Sequence, residues 1–133
     1  MRRLFPDFQA REEAHYGKTG IFPIMHVIAI RADVYAANPW VAMNLQKAFD
    51  EAKARSLKRM ADITASHAPL PWIGDFAAKM QAIFGADPFP YGIEPNRPTL
   101  EAFLQYAREQ GLCARDLAPE DLFVPEVREG YKI

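Results

Sequence analysis

Apolar positions along the chain fall into one short β-like run and several helical stripes. Tyr16-Gly-Lys-Thr-Gly-Ile-Phe-Pro-Ile-Met-His-Val-Ile-Ala-Ile-Arg31 passes from a polar, glycine-punctuated turn into an apolar run holding one histidine, and ends on an arginine. Val27, Ile28 and Ile30 are β-branched, and Pro23 suits the first position of a strand, so residues 24–30 read as the one main strand of the chain. The other predicted elements are helical. Asp7 is placed to cap a first helix that ends before Gly17. Residues 31–37 form a short helical turn, and Asn38-Pro39 starts the longest helix, which reaches about Met60. Val41, Leu45, Ala48, Phe49 and Ala52 make its apolar stripe, and Lys47, Asp50, Glu51, Lys53 and Arg55 its wet side.

After the break at Ala68-Pro-Leu-Pro71, residues 72–84 read as a helix with Ile73, Phe76, Met80 and Ile83 facing inward and Gly85 closing it. Asp87-Pro-Phe-Pro-Tyr-Gly92 is an irregular, aromatic-rich connection. Pro98 to Gln110 is a helix with Leu100, Phe103, Leu104 and Ala107 inward and Gly111 at its C-terminal cap. A last turn over residues 119–123 precedes a polar tail. One strand cannot make a sheet, so the strand's partners have to come from elsewhere.

Composition narrows the class. The chain has 133 residues, half of them hydrophobic and a quarter charged, with a formal charge of −1; this suits one globular domain with a real core. No Lys/Arg stripe with interleaved aromatics points to nucleic acid. Cys113 is the one cysteine, which excludes an intrachain disulfide or a cysteine-based zinc site. No apolar run approaches the roughly 20 residues that cross a bilayer, and no membrane partner is expected. As written the chain reads as cytoplasmic, or periplasmic if a signal peptide precedes Met1.

Candidate chemistry is sparse. Gly17-Lys18-Thr19 suggests a phosphate loop, but Glu12 stands where the motif needs its first glycine, and the stretch follows a helix rather than a strand. His15, His26 and His67 lack metal-ligand spacing, so neither a metal nor another cofactor is expected. His26 interrupts an apolar strand: it is either a satisfied core histidine or an imidazole facing a cleft beside Thr19-Gly20, where it could handle a proton. Arg31 is either a solvated strand end or a two-pronged carboxylate clamp. Tyr91 is similarly open, and Asn96 reads first as a helix cap.

Leu4-Phe-Pro-Asp7, Thr19-Gly-Ile-Phe-Pro-Ile-Met-His26, Asn38-Pro-Trp-Val-Ala42, Lys47-Ala-Phe49, Tyr91-Gly92, Thr99-Leu-Glu-Ala-Phe103 and Leu117-Ala-Pro-Glu-Asp-Leu-Phe123 together resemble the C-terminal part of the 4,5-dihydroxyphthalate decarboxylase family. The resemblance implies an α/β architecture like that of type 2 periplasmic binding proteins. In it, this helix-rich chain with its one main strand is a single segment from the C-terminal portion of a two-lobe protein, and the N-terminal lobe has no counterpart in residues 1–133. Residues 24–30 then resemble the segment crossing between lobes, to be paired by upstream strands or by another copy in a homo-oligomer. The implied activity is a lyase's: non-oxidative removal of one carboxyl group from a dihydroxylated aromatic diacid, so that a small aromatic carboxylate is the expected partner. His26 is the candidate catalytic proton handler, with Thr19, the Gly20 N–H and Arg31 as candidate substrate-binding groups. The alternatives are a solute-binding protein for a small organic anion, or a segment inactive by itself.

Overall fold

The structure, a computed structural model, describes residues 3–62, 64 and 69–128. They form five α-helices: α1 (Phe8–Thr19), α2 (Ala32–Ala37), α3 (Trp40–Ala61), α4 (Ile73–Phe84) and α5 (Arg97–Glu109). Short 3-10 turns lie at Glu94–Asn96, Pro119–Leu122 and Pro125–Val127. The chain divides into two compact units. One comprises Met1–Val27 and Ile93–Leu122, the other Ile28–Gly92 and Phe123–Ile133.

Two expectations need correcting. No strand occurs among the described residues: 21–30 are irregular, with Met25, Val27 and Ile28 largely exposed. The side chains favour β structure, but a strand exists only through backbone hydrogen bonds to a neighbouring strand, and the backbone of residues 23–30 makes none among the described residues. Nor do the described residues hold the large core expected of a single domain. Among the described residues, the buried hydrophobic ones are Ala42, Ile93 and Leu100.

In the first unit, α1 runs through Gly17, at a propensity cost of about 1 kcal/mol relative to alanine, and stops at Gly20 instead. Gly20 adopts φ 68°, a left-handed conformation that glycine takes without strain, and its N–H bonds the Tyr16 carbonyl at 2.7 Å. Asp7 makes no capping bond; its carboxylate pairs with Arg11 one turn on. α5 ends as its glycine predicts. Gly111 has φ 70°, its N–H donates to the Arg108 carbonyl, and the Leu112 N–H donates to that of Ala107, a Schellman arrangement. Thr99 and Leu100 are buried, whereas Phe103, expected inward, is 60% exposed. Arg97 holds the start of α5 to Glu94 and, at 2.5 Å, to Glu120 in the turn Pro119–Leu122.

In the second unit, α3 shelters a different stripe from the one its apolar residues suggest. Val41, Leu45, Asp50, Lys53, Leu57 and Met60 are at least half-buried, while Ala48, Phe49 and Ala52 are exposed. Lys53 explains the shift. Its ammonium donates to Asp87 Oδ2 at 2.6 Å and to the Phe89 carbonyl at 3.1 Å, and lies 3.9 Å from the Tyr91 ring centroid. The Asp87–Gly92 connection therefore packs over the lysine stem, and a charged position becomes a sheltered one. α4 begins after Trp72, whose φ of 58° is rare for a bulky residue, and ends at Gly85. Tyr35 of α2 donates a 2.6 Å hydrogen bond to Glu126, fastening the turn Pro125–Val127 within this unit.

Candidate functional site

Each residue singled out by the sequence has a definite place. Thr19 is the last residue of α1. Its hydroxyl donates to the His15 carbonyl at 2.8 Å and accepts the Ile21 N–H at 3.1 Å. A hydroxyl carries one hydrogen, so the Thr19 donor is committed to the helix end. The Gly20 N–H is likewise committed, to Tyr16. Both groups expected to donate to a carboxylate serve instead to terminate α1.

His26 lies in the irregular segment, exposed, in the same unit as Thr19 and Gly20. No hydrogen bond or ion pair joins it to another described residue. It is therefore not a satisfied core histidine, the first of its two sequence readings. His15 lies in α1, and His67 falls outside the described residues.

Arg31, assigned to the second unit, already grips a carboxylate with both prongs. Nε donates to Asp33 Oδ1 at 2.6 Å and Nη2 to Oδ2 at 2.7 Å. Asp33 in turn sits in the first turn of α2, where negative charge is favoured. The hydrogen-bonded pair holds the Asp33 carboxyl below the usual carboxylate range and raises the Arg31 guanidinium. Both side chains are mostly exposed, so the pair is screened and weak. Asn96 stands before α5 without a side-chain capping bond.

The first unit also carries an open depression of about 400 Å³ lined by Leu104, Arg108, Cys113, Arg115 and Leu117 among others. Arg108 pairs there with Asp116. None of Thr19, Gly20, His26 or Arg31 lines it. Among the described residues no cluster of three or more His, Cys, Asp or Glu could hold a metal ion, and no helix is long and apolar enough to cross a membrane.

Sequence reasoning missed Lys53, Asp87 and Tyr91 as a group. Tyr91 stood out only as an isolated aromatic, and nothing in the spacing of residues 53, 87 and 91 marks them as neighbours. The signal available was a lysine one helical turn after Asp50 and an aspartate opening an aromatic loop.

No family model matches the chain. Over all 133 residues it is 34% identical to a 4,5-dihydroxyphthalate decarboxylase of Comamonas testosteroni. Identity sustained over the whole chain makes the two sequences related. The chain spans 40% of that protein's length.

Proposed function

We propose that this chain carries part of a decarboxylase-like function directed at an aromatic carboxylate, as the C-terminal portion of a protein with a type 2 periplasmic-binding-protein-like fold. The observation that carries the reading is the 34% identity to the Comamonas protein along every residue of the chain. In such a reaction the carbon–carbon bond to one carboxylate breaks, carbon dioxide leaves, and the ring carbon takes up a proton. A cation holds the carboxylate that stays, and a titratable group handles the proton.

His26 is the residue proposed for the proton, supported by its exposure and its lack of a partner among the described residues. Arg31 is proposed as the anchor, supported by its two-pronged grip on Asp33: a substrate carboxylate takes the place of one already held in that geometry. Thr19 and the Gly20 N–H can contribute only by giving up their bonds to His15 and Tyr16.

The chain's 40% share of its relative supports a second reading, in which the segment does not turn over by itself. One assay separates these. The chain is incubated with 4,5-dihydroxyphthalate while carbon dioxide and dihydroxybenzoate are followed. Turnover that falls about 100-fold or more in His26→Gln supports the decarboxylase with His26 in its role; undiminished turnover removes His26. Saturable binding without product favours a solute-binding protein for an organic anion. Neither binding nor product leaves the inactive segment.

A further inference from the structure

The grip of Arg31 is already filled from within the chain. Its Nε and Nη2 donate to the two oxygens of Asp33, at 2.6 and 2.7 Å. Among the described residues no other side chain bonds this guanidinium. The partner is local: Arg31 is the residue before α2, and Asp33 lies in the first turn of that helix. The helix is fastened by other atoms. The Arg31 carbonyl accepts the Tyr35 N–H at 3.0 Å, and the Tyr35 phenol donates to Glu126 at 2.6 Å. The two charged side chains can therefore part while α2 stays in place. They are 78% and 66% exposed, so a solute reaches the guanidinium without any backbone movement.

A carboxylate tethered two residues away is present at a high effective concentration and cannot be diluted. An incoming anion has two approaches. On the edge formed by Nε and Nη2 it has to displace Asp33. A guanidinium also has N–H donors on its other edge, at Nη1, but there the anion meets a cation whose charge is already balanced, with a like charge across it. Either approach is weaker than it would be without Asp33. An exposed pair of this kind is worth at most about fivefold in occupancy. That is too little to close the anchor and enough to raise the concentration at which it fills.

Taking Arg31 as the carboxylate anchor proposed above, we infer that Asp33 is a built-in competitor, an internal carboxylate that sets how much external carboxylate is needed to occupy Arg31. Asp33 touches no substrate in this role; it acts through Arg31 alone.

The test titrates phthalate, an aromatic dicarboxylate, into the isotope-labelled chain and follows the Arg31 Nε–H and the backbone amides of residues 31–35 by NMR. Asp33→Asn should lower the half-saturating concentration about fivefold, and Asp33→Ser should act in the same direction. In an Arg31→Gln background, Asp33→Asn should change nothing, a result that a loosened α2 or a general loss of negative charge does not give. Saturation that is lost in Arg31→Gln but unmoved in Asp33→Asn keeps the anchor and overturns the competitor. Saturation that weakens in Asp33→Asn does the same, because Asp33 then orients the guanidinium for the ligand. Saturation that survives Arg31→Gln, or that appears neither in the parent nor in Asp33→Asn, removes the anchor and the competitor with it.

Discussion

Lys53 offers the sharpest test of how the second unit is held together. Replacing it with methionine keeps most of the aliphatic stem and removes the charge. Four contacts go with the ammonium: the 2.6 Å bond to Asp87, the 3.1 Å bond to the Phe89 carbonyl, the position over Tyr91 and a looser 3.7 Å ion pair with Asp50. The lysine side chain is 15% exposed and that of Asp87 35%, so the ion pair is only partly screened. A partly exposed pair contributes up to about 1 kcal/mol. The bond to a neutral carbonyl adds about the same, and the ring contact at least about 0.5 kcal/mol. Methionine packing against the same surface recovers some of this, leaving a net cost of about 2 kcal/mol. Asp87 also accepts the Phe89 N–H through its other oxygen, at 3.0 Å, so that amide reports on the loop directly. A cost of 2 kcal/mol corresponds to roughly 30-fold faster exchange at Phe89 in Lys53→Met, with Asp87→Asn giving a smaller effect of the same sign. Exchange at Phe89 within twofold of the parent would show that the loop is held by its own prolines and aromatics, and the account of the sheltered stripe on α3 would fail.

Two further outcomes are expected. Thr99→Val removes the acceptor for the half-buried Phe22 N–H at nearly constant volume, and should destabilise the first unit by about 1–2 kcal/mol in urea unfolding; an unchanged midpoint would refute a structural role for that bond. Tyr35 and Glu126 set a pH window. The bond from Tyr35 holds the Glu126 carboxyl below its ordinary value, so this contribution is present above the unfolded carboxylate pKa and lost as pH falls through the folded one. The same bond raises the Tyr35 phenol, whose contribution is present below the ordinary tyrosine value and lost as pH rises through its folded pKa. Tyr35→Phe should therefore flatten stability loss at both extremes, and thermal unfolding from acid to alkaline pH reads it directly.

The helices were legible in the sequence because their signals are local. Gly85 and Gly111 close α4 and α5 where predicted, and the start after Asn38-Pro39 falls within one residue of α3. The errors share a cause: the deciding atom lies far along the chain or outside it. Gly17 looked like a terminator because the true cap, Gly20, three residues on, offers the same signal. Phe76 and Phe103 were assigned inward by period alone, yet helical period identifies an apolar face without identifying what covers it. Lys53 was placed in water because its partners stand 34 to 38 positions away. Residues 24–30 have strand-forming side chains, but β structure needs a second backbone, and composition says nothing of whether one is present. At the candidate site, residue type identified Arg31 as able to clamp a carboxylate. That Asp33, two residues on, already fills the clamp follows only from geometry.

The chain passes from one unit to the other between residues 27 and 28, again between 92 and 93, and a third time between 122 and 123. Neither unit is an unbroken stretch, and no single cut isolates either one whole. On the ribosome, α2 and α3 emerge long before Glu126, which lies 91 positions after the phenol it accepts from. The larger unit must therefore wait, half-made, for the turn Pro125–Val127, and the other for α5. Neither unit can close before the residues that return to it have been made, so each depends on a segment remote in sequence from its first helix.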